Sequence, residues 1–493
     1  MKSFFILILG VFCDCVKTSA LKPANTHITY ESVILRELET EALPLVQRSN
    51  TEGGILKAPR VGSSNEVAIV VDITCDYLGR VFLNELENLG LHTVQIMSDY
   101  IARGLEWEYG VAPPEIFLSP REGHEEEWWQ ATIQEQFYCL TCCISESDSG
   151  IATAERIAAK LGARYASTLS PVRRHKWLLH ETLKRNGLNA CTQRLCVTID
   201  DVRDFMTNIK DCQVVVKPAR GVGSDGVSVC GTQEEAEIAF RNLQSTVRYA
   251  GNTTNSQVLL QKRLIGPEFA IDTVSRGEGS HKVVAVWRYE KHRLAPDAPR
   301  VYYCSELISD WPESICDAVI KALNATGHKA GPTHTELILD DTLGPTIVEI
   351  NARFHNQNFP PITQHCLGLT QLRAAAIAAS PRAESLWQNI PDRPPRFQGG
   401  GRIVHLVSYL EGHIESFNET LYHELISLPT VVDHDIYAQE PGQYLRRTVD
   451  VTTDAGWILL AADSKVQVDS DYETIINKMR SLYPSVTNKE NTR

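Results

Sequence analysis

The sequence predicts a mixed α/β and α+β chain in three parts: an N-terminal doubly wound parallel domain, a β-rich central domain and a C-terminal α+β lobe. Three observations predict it. Val67 to Val71 is a continuous apolar run, followed by a helical repeat of Leu78, Phe82, Leu86 and Leu89 and a second apolar segment, Leu91 to Met97. Strand, helix, strand in that order opens a doubly wound sheet with strands buried on both faces. The middle third is a series of short strand-like runs that closes on a hairpin pattern, Thr335 to Leu339 and Thr346 to Ile350 around Asp340, Asp341 and Gly344. After Pro394, three glycines precede a strand at Arg402 to Val407, and short strands and helices alternate to Tyr483.

Taken in order, Lys2, the apolar run Phe4 to Phe12 and the small residues Thr18, Ser19 and Ala20 have the order of a secretory signal. An uncleaved anchor or an organelle leader is the alternative. The run is too short to span a bilayer comfortably, and no later segment is apolar enough for a transmembrane helix. Residues 1–20 are therefore a signal-like leader, and residues 21–65, without a sustained apolar period, a poorly ordered arm. The parallel domain spans 66–168. Within it Glu125 to Glu127 with Trp128 and Trp129 reads as an amphipathic helix with a solvated charged face. Leu140 to Ile144 reads as a strand, and Gly150 to Leu161 as the helix after it. In the central domain, 169–394, Pro171 to Asn186 reads as one helix closed by Gly187. Gln213 to Val216, Val227 to Cys230, Val258 to Gln261, Phe269 to Val274 and Val283 to Tyr289 read as strands, and Gln233 to Leu243 as a helix. The lobe at 395–485 is expected to pack on the central domain.

The 493 residues exceed one compact core, and 43% hydrophobic with 22% charged residues is an ordinary globular composition. A net charge of -13 excludes a coat for nucleic acid or an anionic membrane, while leaving room for a local anion site. Of 13 cysteines, Cys13 and Cys15 lie in the leader, and the odd remainder has no spacing that defines a disulfide framework. Cys139, Cys142 and Cys143 sit in an apolar stretch without a matching pair, so they read as core rather than a metal site. Asn252, Asn324 and Asn418 head Asn-x-Thr sequons that matter only in the secretory pathway. The leader points to that pathway or an organelle, with the cytoplasm as the alternative.

Two segments carry chemistry. In KPARGVGSDGV, Lys217 to Val227, a strand ends at a lysine and a loop with Gly221, Gly223, Ser224 and Gly226 follows. Such a loop lets backbone N–H groups surround anionic oxygens beside a fixed positive charge. The lysine precedes the loop, so this is not a Walker motif; as a glycine-rich turn alone it is equally a plain hairpin. The second segment, HTELILDDTLGPTIVEINARFHN, runs from His334 to Asn356. Glu349 and Asn351 share one face of a strand, and Glu336 can face them from the other strand of the hairpin. Three oxygen-bearing side chains among Ile338, Ile347, Val348 and Ile350 suit Mg²⁺ with substrate phosphates, and Arg353 suits a transferred phosphoryl group. The bland reading is a polar surface hairpin. Likewise Lys176, beside Arg173 and Arg174, can be simply solvated, Glu268 can cap a turn, and His334 and His355 can be core or surface histidines.

In order and spacing these motifs resemble the ATP-grasp superfamily, and within it the L-amino acid ligase and carnosine synthase branch. The resemblance covers Val67 to Tyr483 in outline and is specific from Arg173 to Arg353. It implies a central ATP-grasp domain, with Lys176 and Lys217 as nucleotide-binding lysines and Gly221, Gly223, Ser224 and Gly226 as the loop over the phosphates. Gln261, Lys262, Arg263 and Leu264 would be the adenine hinge and Glu268 the ribose-binding acid. Glu336, Glu349 and Asn351 would ligate Mg²⁺, with Mn²⁺ a second option, and Arg353 would be the catalytic arginine. The sequence departs from the branch in the Gln-Lys start of the hinge, and in Phe354, His355 and Asn356, where glycines follow the arginine in relatives and line the acceptor side.

The implied activity is an ADP-forming carboxylate–amine ligase, working through an acyl-phosphate on amino acids or similar small acids, either alone or as a homodimer. The alternatives are a carboxylase-like or purine-pathway ligase, or a non-catalytic nucleotide-binding protein of this fold. Arg353 argues against the last, because binding alone does not need it.

Overall fold

The computed structural model describes residues 29–31, 33, 65–74, 76–98, 117–132, 139–209, 212–221, 226–245, 257–294 and 300–487. The leader, all but five residues of the 21–65 arm, Gly223, Ser224 and the sequon at Asn252 lie outside them. Among the described residues no helix is long and apolar enough to cross a membrane.

The N-terminal sheet is parallel, in the order β3-β2-β1-β4, with β1 Glu66–Val71, β2 His92–Met97, β3 Phe117–Leu118 and β4 Cys139–Ser145. Alternation divides β1 between two cores. Ala68 and Val70 meet Leu78, Phe82 and Leu86 of α1 (Asp76–Asn88). Val67, Ile69 and Val71 meet Trp128 of α2 (Glu125–Thr132) and Ala154 and Ile157 of α3 (Ile151–Lys160). Cys142 and Cys143 pack into these two cores, and the described cysteines are free. The solvated face expected for α2 holds for Glu126 and Glu127 but not for Glu125, which is buried in an ion pair with Arg156.

The helix read at Pro171 to Asn186 is divided. A 3₁₀ turn, Pro171–Arg173, is followed by α4, Lys176–Arg185, with His175 between them as N-cap. Arg173 causes the break: its buried guanidinium is drawn to Glu155 and the Thr168 and Thr326 carbonyls, which a continuous helix would not reach. The result places Lys176 at the first position of α4.

Beyond it lies a small antiparallel sheet in the order β5-β8-β6-β7, with β5 Gln193–Cys196, β6 Val214–Pro218, β7 Ser228–Cys230 and β8 Val258–Lys262. Helices α5 (Ile199–Asn208) and α6 (Gln233–Ser245) cover it through Val202, Phe205 and Phe240. Strand β5 and helix α5 are absent from the sequence reading, although Thr198 and Asp201 form a capping box at the start of α5.

The large sheet is antiparallel and eight-stranded, in the order β13-β12-β9-β10-β11-β14-β18-β16. Its strands are β9 Glu268–Arg276, β10 His281–Arg293, β11 Arg300–Leu307, β12 Ala330–Asp340, β13 Gly344–Asn351, β14 Gly400–Leu406, β16 Val431–Ile436 and β18 Gly456–Ala462. Strands β15 (Gly412–Ser416), β17 (Tyr444–Leu445) and β19 (Ser485–Thr487) make a separate ribbon. In the C-terminal segment β14 pairs directly with β11 and carries the central sheet onward. Helix α7 (Glu313–Ala325) covers the hairpin end of this sheet. Helices α8 (Phe359–Leu367) and α9 (Gln371–Ala379) follow the hairpin, and α9 joins the large sheet to the parallel domain in one core with Phe354.

Candidate active site

The site forms where the β12–β13 hairpin, the start of α4 and the end of β6 converge. The hairpin register sets Glu336 directly opposite Glu349 and His334 opposite Asn351. Two carboxylates facing each other across a sheet repel, so this arrangement requires nearby positive charge. Lys176 supplies one: its Nζ is 2.8 Å from Glu349 Oε2 and donates to the Gly221 carbonyl at 2.9 Å. Its backbone N–H donates to the Ala219 carbonyl, fastening α4 to the glycine-rich loop. Asn351 Nδ2 donates to Glu349 Oε1 at 3.1 Å. Burial works to raise the Glu349 carboxyl, but Lys176 and Asn351 outweigh it and hold the group down at about 2. For Glu336, burial and Glu349 push upward, yet His334 and Lys291 bring the carboxyl below its ordinary value.

Lys217, near the end of β6, is buried, and among the described residues it makes no ion pair at contact distance. Burial, then the like charge of Lys176, brings its ammonium down to about 8. A buried cation facing a glycine-rich loop is a good fit for an anionic ligand. Gly226, at φ 71°, closes that loop in a conformation that favours glycine.

The hinge runs from the end of β8 to the start of β9. The Gln261 side chain is buried against Gln193, and the Lys262 and Arg263 N–H groups are taken by the Thr192 and Gln213 carbonyls. Leu264 follows, and the next turn is stitched to the hairpin tip. Ile265 N–H donates to Asp340, Leu339 N–H to the Pro267 carbonyl and Asp341 N–H to the Ile265 carbonyl. Gly266 permits this approach, because a Cβ there would lie 2.0 Å from the Leu339 carbonyl oxygen. Glu268 opens β9 and is paired with Lys291 at 2.6 Å, rather than capping the turn.

Arg353 lies just beyond β13. Its Nη1 donates to the Phe354 carbonyl and its Nε is 2.8 Å from Asp148, in the loop after β4. Burial opposes its charge, but Asp148 dominates and raises its pKa. The carboxyl edge of the parallel sheet, where ligands of such sheets characteristically sit, therefore faces the hairpin. The segment after Arg353, implied by resemblance to line the acceptor side, instead turns two side chains inward. Phe354 packs edge-on to Phe82 at 4.8 Å, and His355 is buried.

The sequence reading did not select Asp148, Lys291 or Asp272, and it left His334 and His355 undecided. Asp272 on β9 is the cross-strand neighbour of His334. His334 bridges to Glu336 at 3.2 Å, and Asp272 lies 2.9 Å from His355 Nδ1. Burial works against charge on His334, but Asp272 and Glu336 on either side of its ring push it up to about 9. Burial drives His355 down to about 3. The usable signal was Asp272 directly after the apolar run Phe269 to Ile271 of β9.

Two antiparallel sheets, joined by a hinge and closing on lysines and acidic side chains, define the ATP-grasp fold, and the chain carries an ATP-grasp domain: residues 210–359 match that family model. Among similar proteins, the dapdiamide A synthase of Enterobacter agglomerans is 22% identical over 420 residues, covering 82% of this chain and 93% of that protein. The L-amino acid ligase from Bacillus licheniformis superposes with a TM-score of 0.62 at 18% identity, covering 84% of this chain and 98% of that one. The carboxyaminoimidazole ribonucleotide synthase of Aspergillus clavatus, solved with ATP, superposes with a TM-score of 0.57 at 15% identity, covering 85% and 99%.

Proposed function

We propose that the protein is an ATP-dependent carboxylate–amine ligase that joins amino acids or similar small acids to amines and releases ADP. The observation that carries this reading is the pairing of Glu336 with Glu349 across the hairpin, with Asn351 beside them and Lys176, Lys217 and Arg353 converging. All-oxygen donors held side by side fit Mg²⁺ or Mn²⁺ carrying substrate phosphates. A similar ligase in Bacillus licheniformis and a dapdiamide synthase support the amide-forming branch over the purine-pathway one.

In this reading ATP supplies the phosphoryl group that turns a poor carboxylate electrophile into an acyl-phosphate, which the amine then attacks. Glu336, Glu349 and Asn351 hold the metal. Lys176 and Lys217 bind phosphate oxygens, and Gly221, Gly223, Ser224 and Gly226 cover them and exclude water. With the Lys262 and Arg263 N–H groups committed, adenine would be read by the hinge carbonyls and the Leu264 N–H. Glu268 would take the ribose, and would have to share that role with Lys291. Arg353 stabilises charge on the transferred phosphoryl group and the tetrahedral intermediate.

The test is ADP release by the purified chain with Mg-ATP and a panel of amino-acid pairs, beside Arg353→Ala. Release that needs both an acid and an amine, and is lost in the variant, supports the ligase. Release driven by bicarbonate alone would favour a carboxylase-like enzyme, and nucleotide binding without any release would favour a non-catalytic protein.

A further inference from the structure

Behind Glu336 lies a cluster that the proposed chemistry does not use. Asp272, His334 and His355 are 2%, 3% and 6% exposed. The inner atoms are Asp272 Oδ1 and the two Nδ1 atoms, and one ligand atom from each residue lies within 4.8 Å of the others. His355 Nδ1 is 2.9 Å and His334 Nδ1 3.6 Å from Oδ1, yet none of the three makes a hydrogen bond. The outer atoms behave in the opposite way. His334 Nε2 meets Glu336 Oε1 at 3.2 Å, His355 Nε2 meets the Tyr289 hydroxyl at 3.1 Å, and Asp272 Oδ2 accepts from Trp287 Nε1 at 2.8 Å. Three buried polar atoms left unpaired and facing one another are costly, and a cation between them would satisfy all three.

We propose that Asp272, His334 and His355 bind a first-row divalent metal ion, Zn²⁺ foremost, at a site separate from the Mg²⁺ position at Glu336, Glu349 and Asn351. Metal–ligand bonds of about 2.0–2.1 Å in a tetrahedron set donor atoms roughly 3.3 Å apart. The observed 2.9 and 3.6 Å bracket that spacing. Two imidazoles and one carboxylate suit Zn²⁺ better than Mg²⁺, which takes oxygen ligands. A metal-bound imidazole characteristically donates its other N–H to a carboxylate or similar acceptor, which is where Glu336 and Tyr289 stand. Beside Asp272 and His355, a cavity of about 10 Å³ walled by Phe359 and Gln371 has room for about one water, the remaining ligand of a three-residue site. The two imidazoles are stacked at 3.7 Å and 28°, so capture requires a ring rotation that brings both lone pairs onto one point. Because His334 touches Glu336, the bound ion would fix one carboxylate of the nucleotide site.

The test needs no substrate and so stands apart from the ligase reading. The full chain, purified without chelators and dialysed against metal-free buffer containing excess Mg²⁺, is analysed for metal. The expected result is about one Zn²⁺ or other first-row ion per chain, lost in Asp272→Asn. After stripping, Co²⁺ added in excess Mg²⁺ should give the visible bands of a tetrahedral site. His355→Gln and this wild-type spectrum decide the matter if Asp272→Asn does not fold. Metal below about a tenth of an equivalent with no Co²⁺ bands would overturn the proposal. So would metal retained in both variants.

Discussion

Lys217 is the side chain whose replacement separates stability from nucleotide binding. The residue is 6% exposed, and its ammonium is pulled down from 10.5 to about 8, by burial first and by Lys176 second. A lysine depressed in this way costs the folded state stability. Below about pH 8 it is charged in both states and the full cost is present; as pH rises from about 8 toward 10.5, the folded lysine loses its proton first and the cost fades. Stability therefore rises with pH across that window. At ~1.4 kcal/mol per pKa unit, the cost near neutrality is on the order of 3 kcal/mol. Lys217→Met keeps most of the unbranched side chain, one atom shorter, and removes the charge. At pH 7 without nucleotide, the variant's unfolding free energy in urea should rise by about 1–3 kcal/mol. Mg-ATP should then stabilise the wild type and not the variant, because the buried cation is paired only when phosphate is bound. A variant less stable than wild type without nucleotide, or equal stabilisation of both by Mg-ATP, would refute this reasoning.

Asp148→Asn removes the partner of Arg353 Nε. It should lower kcat about tenfold, equivalent to ~1.4 kcal/mol, while leaving the Kd for ATP unchanged; a change in Kd alone would deny the positioning role. Gly266→Ala sets a Cβ against the Leu339 carbonyl and should cost about 2 kcal/mol or more in urea unfolding, weakening ATP binding with it. An unchanged midpoint would show that the hinge is not held as described. Glu349 is depressed from 4.5 to about 2, so its stabilisation is complete above about pH 4.5 and is lost as pH falls through about 2. Glu349→Gln should flatten the acid limb of the stability profile.

What was legible in the sequence were features that declare themselves locally. The apolar run of β1, the one-turn spacing of α1 and the Glu-x-Asn-x-Arg segment on a hairpin each depend on neighbours a few residues away. What was not legible depends on distant partners. Arg173 breaks a helix because Glu155 and Thr326 wait for it elsewhere in the fold. Strand β5 is four residues long and becomes a strand by pairing with β8. Nothing in the composition of the strands beyond Pro394 reveals that β14 adds to β11. Among the residues of the candidate site, Asp148 approaches Arg353 across some two hundred positions, and Asp272 meets His334 only because β9 and β12 are neighbours.

The central claim, that a carboxylate is activated by phosphoryl transfer before an amine attacks it, is tested most directly by isotope transfer. The acid substrate identified in the ADP-release panel is supplied with ¹⁸O in its carboxylate, with Mg-ATP and the amine, and the released phosphate is analysed. An acyl-phosphate route places one ¹⁸O in the inorganic phosphate for every amide formed, and Arg353→Ala suppresses both together. Amide formation with unlabelled phosphate would contradict the account.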